Sequence, residues 1–526
     1  MIESWIKNSS ERVFPNLKKF YYDTNKISLD SAKNMTVCAQ CCLRFSDNFT
    51  AGKVSFDGLP KGVSARYNYQ GYFTFNDGIP YPDIMLSDQS VDVIKHRTQG
   101  LYIFFDIDKD AQVGTSKITA KVETSHEVVE FNITLRIYNV TLPEPCNSEF
   151  GHEYFFNPLR TFPFNGNPPK STPCPEADYG YEMFSDQWFN YVGELAKFSK
   201  KLRINVLWIA GLPLLQYAGS KRISKEKWHF DFKYLEKYID VSLKNGSYHH
   251  IVFENLIASV KGGLITGLDE NGNTIKFTIP SEDAELWAKN FYSAIYEFFK
   301  SKNLLKYLMM HVQDEPHTSE YWIWGAKKCA EYMPGIPCSE PIDWDIADEL
   351  IGHCHHYIPR IDVWTRNKKL YQKIQKSGDI VWCYSCCGPE EPHWLNKMID
   401  LPFIYSRLMV WACYSQNITG FLHWGGNFWE DPVSFGLYPS GRYKGDGFIV
   451  YPDVEKNSLR MSNRGVQTIE GIQDWELLNM YAKHNQKEAL RIAKKAAKSF
   501  TEFKDDAVLL DNLRQTLLTA LEQLNQ

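Results

Sequence analysis

The chain has 526 residues, 44% of them hydrophobic and 23% charged, with a formal net charge of −5. That length allows roughly two to four domains, and the balance is that of a globular protein without the long basic run a nucleic-acid partner would call for. No uncharged apolar stretch reaches the length of about 18 residues that a membrane span needs.

The first residues, Met1 to Arg12, carry no apolar signal core. The expectation is therefore a cytoplasmic protein whose twelve cysteines are reduced thiols. From about residue 28 to 145 the pattern is β. Val54-Ser-Phe, Ala65-Arg-Tyr-Asn-Tyr, Leu101-Tyr-Ile-Phe-Phe, Ile118-Thr-Ala-Lys-Val and Val129 to Ile137 are short β-branched or aromatic runs. Turn residues such as Asp57-Gly58 separate them, which predicts a β-sandwich over residues 1–146 closed by Leu142-Pro-Glu-Pro-Cys146.

Helices and apolar strands then alternate. Helical stretches at Asp186–Lys201, Phe232–Leu243 and Ser281–Lys300 precede strands at Ile204, His250 and Leu304–Val312, with further strands at Ile380 and Gly420. Repeated units of this kind predict a central (β/α)8 TIM-like barrel over residues 147–482. A helical tail follows over 483–526, with Leu510, Leu513, Leu517, Leu521 and Leu524 on one face for packing or dimerisation.

Asp314 and Glu315 end the apolar strand that begins at Lys306. Charges are seldom placed at such a point for packing alone, although a helix starting nearby would also favour them. At the C-terminal end of a barrel strand, acidic residues usually serve chemistry. Adjacent carboxylates repel, so one can hold a proton while the other stays ionised.

Other constellations are weaker. His353 and His355 alternate in Gly352-His-Cys-His-His-Tyr-Ile-Pro, but no matching motif completes a metal set, so polar lining of a site is the preferred reading. Cys38-Ala-Gln-Cys41-Cys42 lacks a second pair at zinc spacing, and Cys386-Cys387 reads as free thiols near a cleft. Trp364, Trp382, Tyr384, Trp424, Trp429 and Tyr451 form an aromatic band, much of it at predicted strand ends. Rings at the same rim as two carboxylates suit stacking against sugars. No metal and no cofactor is called for.

Three stretches resemble glycoside hydrolase family 123, whose known members are β-N-acetylgalactosaminidases. They are Gln313-Asp-Glu-Pro316, Gly445-Asp446-Gly447-Phe-Ile-Val-Tyr-Pro452, and Ser458-Leu-Arg460 continuing to Glu470-Gly-Ile-Gln-Asp-Trp-Glu-Leu-Leu478. Arg12-Val-Phe-Pro15 also fits; Gln473-Asp474-Trp475-Glu476 departs from the usual Glu-Asp-Tyr-Glu form. The resemblance implies a retaining exo-glycosidase that removes terminal β-linked N-acetylgalactosamine (GalNAc) from a glycan or glycolipid. The substrate's own acetamido oxygen is then the nucleophile. Glu315 would be the acid and base, and Asp314 would hold the acetamido N–H. The expected substrate-binding residues are Tyr357, Trp364, Tyr384, Trp424, Asn427, Trp429 and Asp446. Competing readings keep the barrel but use an enzymic nucleophile such as Glu430 or Glu470, or make the chain a non-catalytic glycan-binding protein. Oligomeric state is left open.

Overall fold

The computed structural model describes residues 1–75, 77–158, 179–390, 393–428 and 443–525. Two compact units emerge. One joins Met1–Glu144, Glu391–Asn417 and Leu437–Gln526; the other joins Pro145–Glu390 and Ile418–Gly436.

The first unit begins with two five-stranded sheets. One runs Glu3–Lys7, Met35–Arg44, Thr98–Ile107, Val63–Thr74, Pro80–Leu86; the other runs Lys26–Lys33, Val128–Thr141, Gly114–Thr124, Phe49–Asp57, Val91–Val93. In Val128–Thr141, burial alternates residue by residue along much of the strand, as expected when one face of a sheet is covered. The Cys38 to Cys42 stretch lies inside the Met35–Arg44 strand, with all three thiols buried.

The same unit contains helix Asn463–Ala496, buried on every side from Asn463 to Leu478. Its polar residues therefore need partners. Asp474 accepts from Arg407 Nε at 2.7 Å, Arg514 Nε at 2.6 Å and Trp411 Nε1 at 2.9 Å. Burial pushes its pKa up, but the two arginines hold it below the usual carboxylate range. The tail helix Ala507–Leu524 packs Leu510, Leu513, Leu517 and Leu521 inward against helix Asn463–Ala496 and the strands Lys26–Lys33 and Val128–Thr141, while Leu524 is exposed.

The second unit is built on parallel strands. Six form one sheet in the order Val206–Ile209, His250–Phe253, Leu308–His311, Cys338–Ile342, His356–Pro359, Ile380–Val381. Three more run Gly151–Tyr154, Gly420–His423, Cys383–Tyr384. All their pairings are parallel. Two links join the sheets: Asn205 N–H donates to His152 O at 3.1 Å, and Arg360 bridges Tyr384 in parallel register.

Expected helices flank these strands at Asp186–Lys201, Lys233–Asn245 and Glu282–Ser301. Ser185 and Ser281 cap the first and third by accepting backbone N–H bonds. Trp382 interrupts one strand and fills space that two glycines leave open. A Cβ on Gly151 would lie 1.9 Å from its ring, and one on Gly420 2.3 Å away. Among the described residues no helix is long and apolar enough to cross a membrane.

Candidate active site

The strand Leu308–His311 is buried throughout, and the chain leaves it through Val312 and Gln313. Gln313 is pinned: its N–H donates to Glu340 Oε2 at 3.2 Å, and its side-chain amide donates to Val260 O at 3.3 Å. Val260 then clamps the next turn. Its N–H donates to Asp314 O at 2.8 Å, and its O accepts from His317 N–H at 2.9 Å. Between those bonds Glu315 has φ +47°, in the left-handed region, and Val260 itself has φ +66°. For non-glycine residues, above all a β-branched one, this backbone costs on the order of 1 kcal/mol or more each. The turn at Glu315 ends the strand's strict alternation, so two adjacent carboxylates interact instead of facing apart.

Their electrostatics differ. Burial raises the Glu315 pKa to about 7, the Asp314 charge adds to the rise, and Tyr384 opposes it by donating its hydroxyl hydrogen to Oε1 at 2.5 Å. Asp343 pushes the same carboxyl up and Arg360 pulls it down. Asp314 opens outward, with its side chain 40% exposed, yet crowding by protein on its other sides raises its pKa. His311 and a hydrogen bond from Ser259 limit that rise and favour the anion.

Below the pair lies a buried polar column. His311 Nε2 is 3.8 Å from Asp314 Oδ1 and 3.5 Å from Glu340 Oε1. Glu340 also accepts from Trp322 Nε1 at 2.6 Å. Burial alone would lower the His311 pKa, but Glu340, Asp314 and Glu153 reverse this and leave it raised. Glu153 is fully buried, without a hydrogen-bond partner for its carboxyl among the described residues, and burial pushes it up to about 8.

Of the residues expected in the site, Tyr384 joins Glu315 directly. Trp424 follows the strand Gly420–His423, half-buried, with its ring 5.3 Å from that of Phe428. Asn427 is buried, and its amide is occupied by backbone: it accepts from Asn157 N–H at 3.0 Å and donates to Asn157 O at 3.1 Å. Tyr357 is buried on the other face of its strand, near Tyr371, Cys354 and Asp379. Trp364 is buried in helix Ile361–Arg366 beneath the Lys368 ammonium. Asp446 is buried in the first unit. Trp429 and Glu430 lie outside the described residues.

Trp382 is core packing rather than rim, its ring 4.1 Å from that of His356. Tyr451 is buried in the first unit, bonded to Asp83. His353 and His355 precede the strand His356–Pro359, at the opposite end from the one where Asp314 and Glu315 stand. The Cys386 and Cys387 sulfurs are 3.8 Å apart. Among the described residues no group of three or more His, Cys, Asp or Glu is placed to hold a metal ion.

Sequence reasoning missed Asp343, Arg360, His311, Glu340 and Ser259. Asp343 leaves the strand Cys338–Ile342 and is held by Arg360 Nη1 at 2.5 Å, while Arg360 also grips Asp362 at 2.6 and 2.9 Å. The one available signal was Asp343 itself, a carboxylate just past a strand neighbouring that of Asp314.

The arrangement therefore offers a carboxyl that carries a proton near neutrality beside a second carboxylate, which is acid–base equipment. A family model described as "Glycoside hydrolase 123, catalytic domain" matches residues 176–481, more than half of the chain. Among solved structures, a family 123 glycoside hydrolase from Clostridium perfringens, studied for glycolipid glycan hydrolysis, superposes with a TM-score of 0.79. That match covers 100% of both chains at 13% identity. A family 39 glycoside hydrolase from Bacteroides cellulosilyticus gives 0.38 at 10% identity, over 84% of this chain and 81% of that one. No curated protein sequence matches. The chain belongs to glycoside hydrolase family 123 and is a glycoside hydrolase.

Proposed function

We propose that the chain is a retaining exo-glycosidase that removes terminal β-linked GalNAc by acetamido participation. The observation that carries this is Glu315: a carboxyl at a strained strand end, with a pKa of about 7, hydrogen-bonded to Tyr384 and directly followed back along the chain by a second carboxylate.

In the first step Glu315 gives its proton to the glycosidic oxygen as the C–O bond breaks. The substrate's acetamido oxygen bonds to the anomeric carbon, forming a cyclic oxazolinium ion. In the second step the Glu315 carboxylate takes a proton from water, which attacks the same carbon and reopens the ring with retained configuration. Asp314 accepts from the acetamido N–H and offsets the ring's positive charge. His311 keeps Asp314 anionic from behind, and Trp424 is the candidate floor under the sugar.

The parallel strands and their two links support a closed (β/α)8 barrel, in which the carboxylates occupy the C-terminal rim. The Clostridium perfringens enzyme's glycolipid substrate makes a glycolipid or related GalNAc-terminated glycan the substrate class proposed for this chain.

The test is a panel of aryl 2-acetamido-β-hexosides with wild type, Glu315→Gln and Asp314→Asn. Both variants should lose most turnover of the galacto substrate, and a thiazoline mimic of the oxazolinium should inhibit wild type. Near-normal turnover by Glu315→Gln, or trapping of a sugar covalently on the protein, would refute the mechanism.

A further inference from the structure

A gradient of exposure runs outward from the buried His311, through Asp314 and Glu315, to two rings at the surface. His317 is exposed two residues beyond Glu315, and Trp344 is 42% exposed two residues beyond the neighbouring strand Cys338–Ile342. The two strands are parallel, with His311 paired to Ser339, so both residues leave the sheet at the same end. The rings meet edge to face, with centroids 4.0 Å apart and planes at 66°. Among the described residues Trp344 is the one tryptophan that is exposed.

An isolated exposed aromatic needs no explanation. Trp344 is neither isolated nor loose. The residue before it, Asp343, is held by Arg360 at 2.5 Å and acts on the Glu315 charge. The residue after it, Asp345, accepts from Arg366 Nε at 3.0 Å and from Asn367 Nδ2 at 2.5 Å. The Trp344 carbonyl oxygen accepts from Ile346 N–H at 2.9 Å. An indole fixed on both sides and left open to water is preorganised to receive an apolar face. Pyranoses present such a face in their axial C–H bonds.

We propose that Trp344, braced by His317, is the platform for the leaving-group sugar. The assignment rests on the reading of Glu315 as the proton donor, and it follows from depth. A donor that protonates the glycosidic oxygen stands between the departing sugar and the one being attacked. Asp314, with the buried His311 behind it, holds the sugar being attacked, so the sugar that leaves lies on the side of Glu315 away from His311. Trp344 and His317 are exposed rings at that same end of the sheet. The ligand is the pyranose to which the terminal 2-acetamido sugar is β-linked, and the platform selects leaving groups by shape, contributing nothing to the chemistry.

The experiment compares two substrates of the same glycosyl group: a disaccharide with a pyranose leaving group, and the glycosyl fluoride, whose leaving group is a single atom. Trp344→Ala should lower kcat/KM on the disaccharide about 10-fold or more and leave the fluoride within about twofold; Trp344→Phe should recover part of the loss. Retained fluoride turnover also shows that the variant is folded. Equal losses on both substrates, or no loss on the disaccharide, would overturn the platform while leaving the glycosidase reading intact. A wild-type chain that cleaves neither substrate would overturn that reading and the platform together.

Discussion

Replacing Tyr384 with Phe removes one oxygen from the site and keeps the ring. The lost bond is the 2.5 Å donation from the Tyr384 hydroxyl to Glu315 Oε1. A neutral donor to an ionised acceptor contributes about 1.5–3 kcal/mol, and the partial opening of the site places this one near the lower figure. Because the bond favours the carboxylate, its loss raises the Glu315 pKa, by roughly one unit for each 1.4 kcal/mol. The wild-type value of about 7 should therefore move to about 8. A general acid works while protonated, so kcat/KM falls on the alkaline side of its pKa. The alkaline limb of the profile should shift upward by about one pH unit in Tyr384→Phe. The assay needs a substrate with a poor leaving group, such as a phenyl 2-acetamido-β-galactoside, so that protonation limits the rate. An alkaline limb that stays in place or moves downward would refute both the hydrogen bond's role and Glu315 as the acid.

Three further outcomes follow from the packing and charge. The step from an ordinary 4.5 to about 7 means that ionised Glu315 destabilises the fold by roughly 3 kcal/mol; the group is protonated in both states well below 4.5, and stability is lost as pH rises through 4.5 to 7. Glu315→Gln keeps an acceptor for Tyr384 and no longer titrates, so it should be more stable than wild type at pH 8, by about 2–3 kcal/mol in urea unfolding, with the difference gone near pH 4. Gly151→Ala drives a Cβ into the Trp382 ring and should cost about 3 kcal/mol, much of it recovered in the double variant with Trp382→Leu; simple additivity would contradict the clash. Arg407→Met strips a fully buried cation from Asp474, Glu470 and Asp511 and should destabilise by about 3–5 kcal/mol; a loss under 1 kcal/mol would mean the network is not dry.

The strands of residues 28–145 were legible as short β-branched and aromatic runs set between turn residues, and in Val128–Thr141 the half-covered face also shows in the alternating burial. Asp314 and Glu315 were legible for the opposite reason, as charge where an apolar run gives no cover for it. Glu340 and Asp343 were hidden because the strand Cys338–Ile342 contains Ser339, Glu340 and Pro341 and so does not look like a buried strand. Glu340 belongs to a polar column that exists only once His311 is beside it, and Ser339 meets His356 from the next strand. Tyr357 was misplaced by one position of parity: His356 faces Trp382 and Tyr357 faces away, and a fully buried parallel strand carries no alternation to reveal which is which. Trp382 looked like a rim residue because Gly151 and Gly420, which make room for it, lie far from it in sequence.

The contrast between two charge clusters supports the proposal that places the chemistry at Asp314 and Glu315. Asp474 receives two arginines and an indole, and its pKa is depressed. Charge there is matched by charge, and the group is kept in one protonation state at any ordinary pH. Around Asp314 and Glu315 the opposite holds. Four carboxyl groups, Glu153, Asp314, Glu315 and Glu340, have raised pKa values, one histidine serves three of them, and Glu315 and Val260 carry left-handed backbone. Each feature destabilises the fold, and the raised carboxyls bring protonation changes closer to neutral pH. A cluster that served only packing would have been neutralised as the Arg407 network is. Its persistence at the end of one strand, beside an exposed and braced tryptophan, is the physical reason to look for the reaction there.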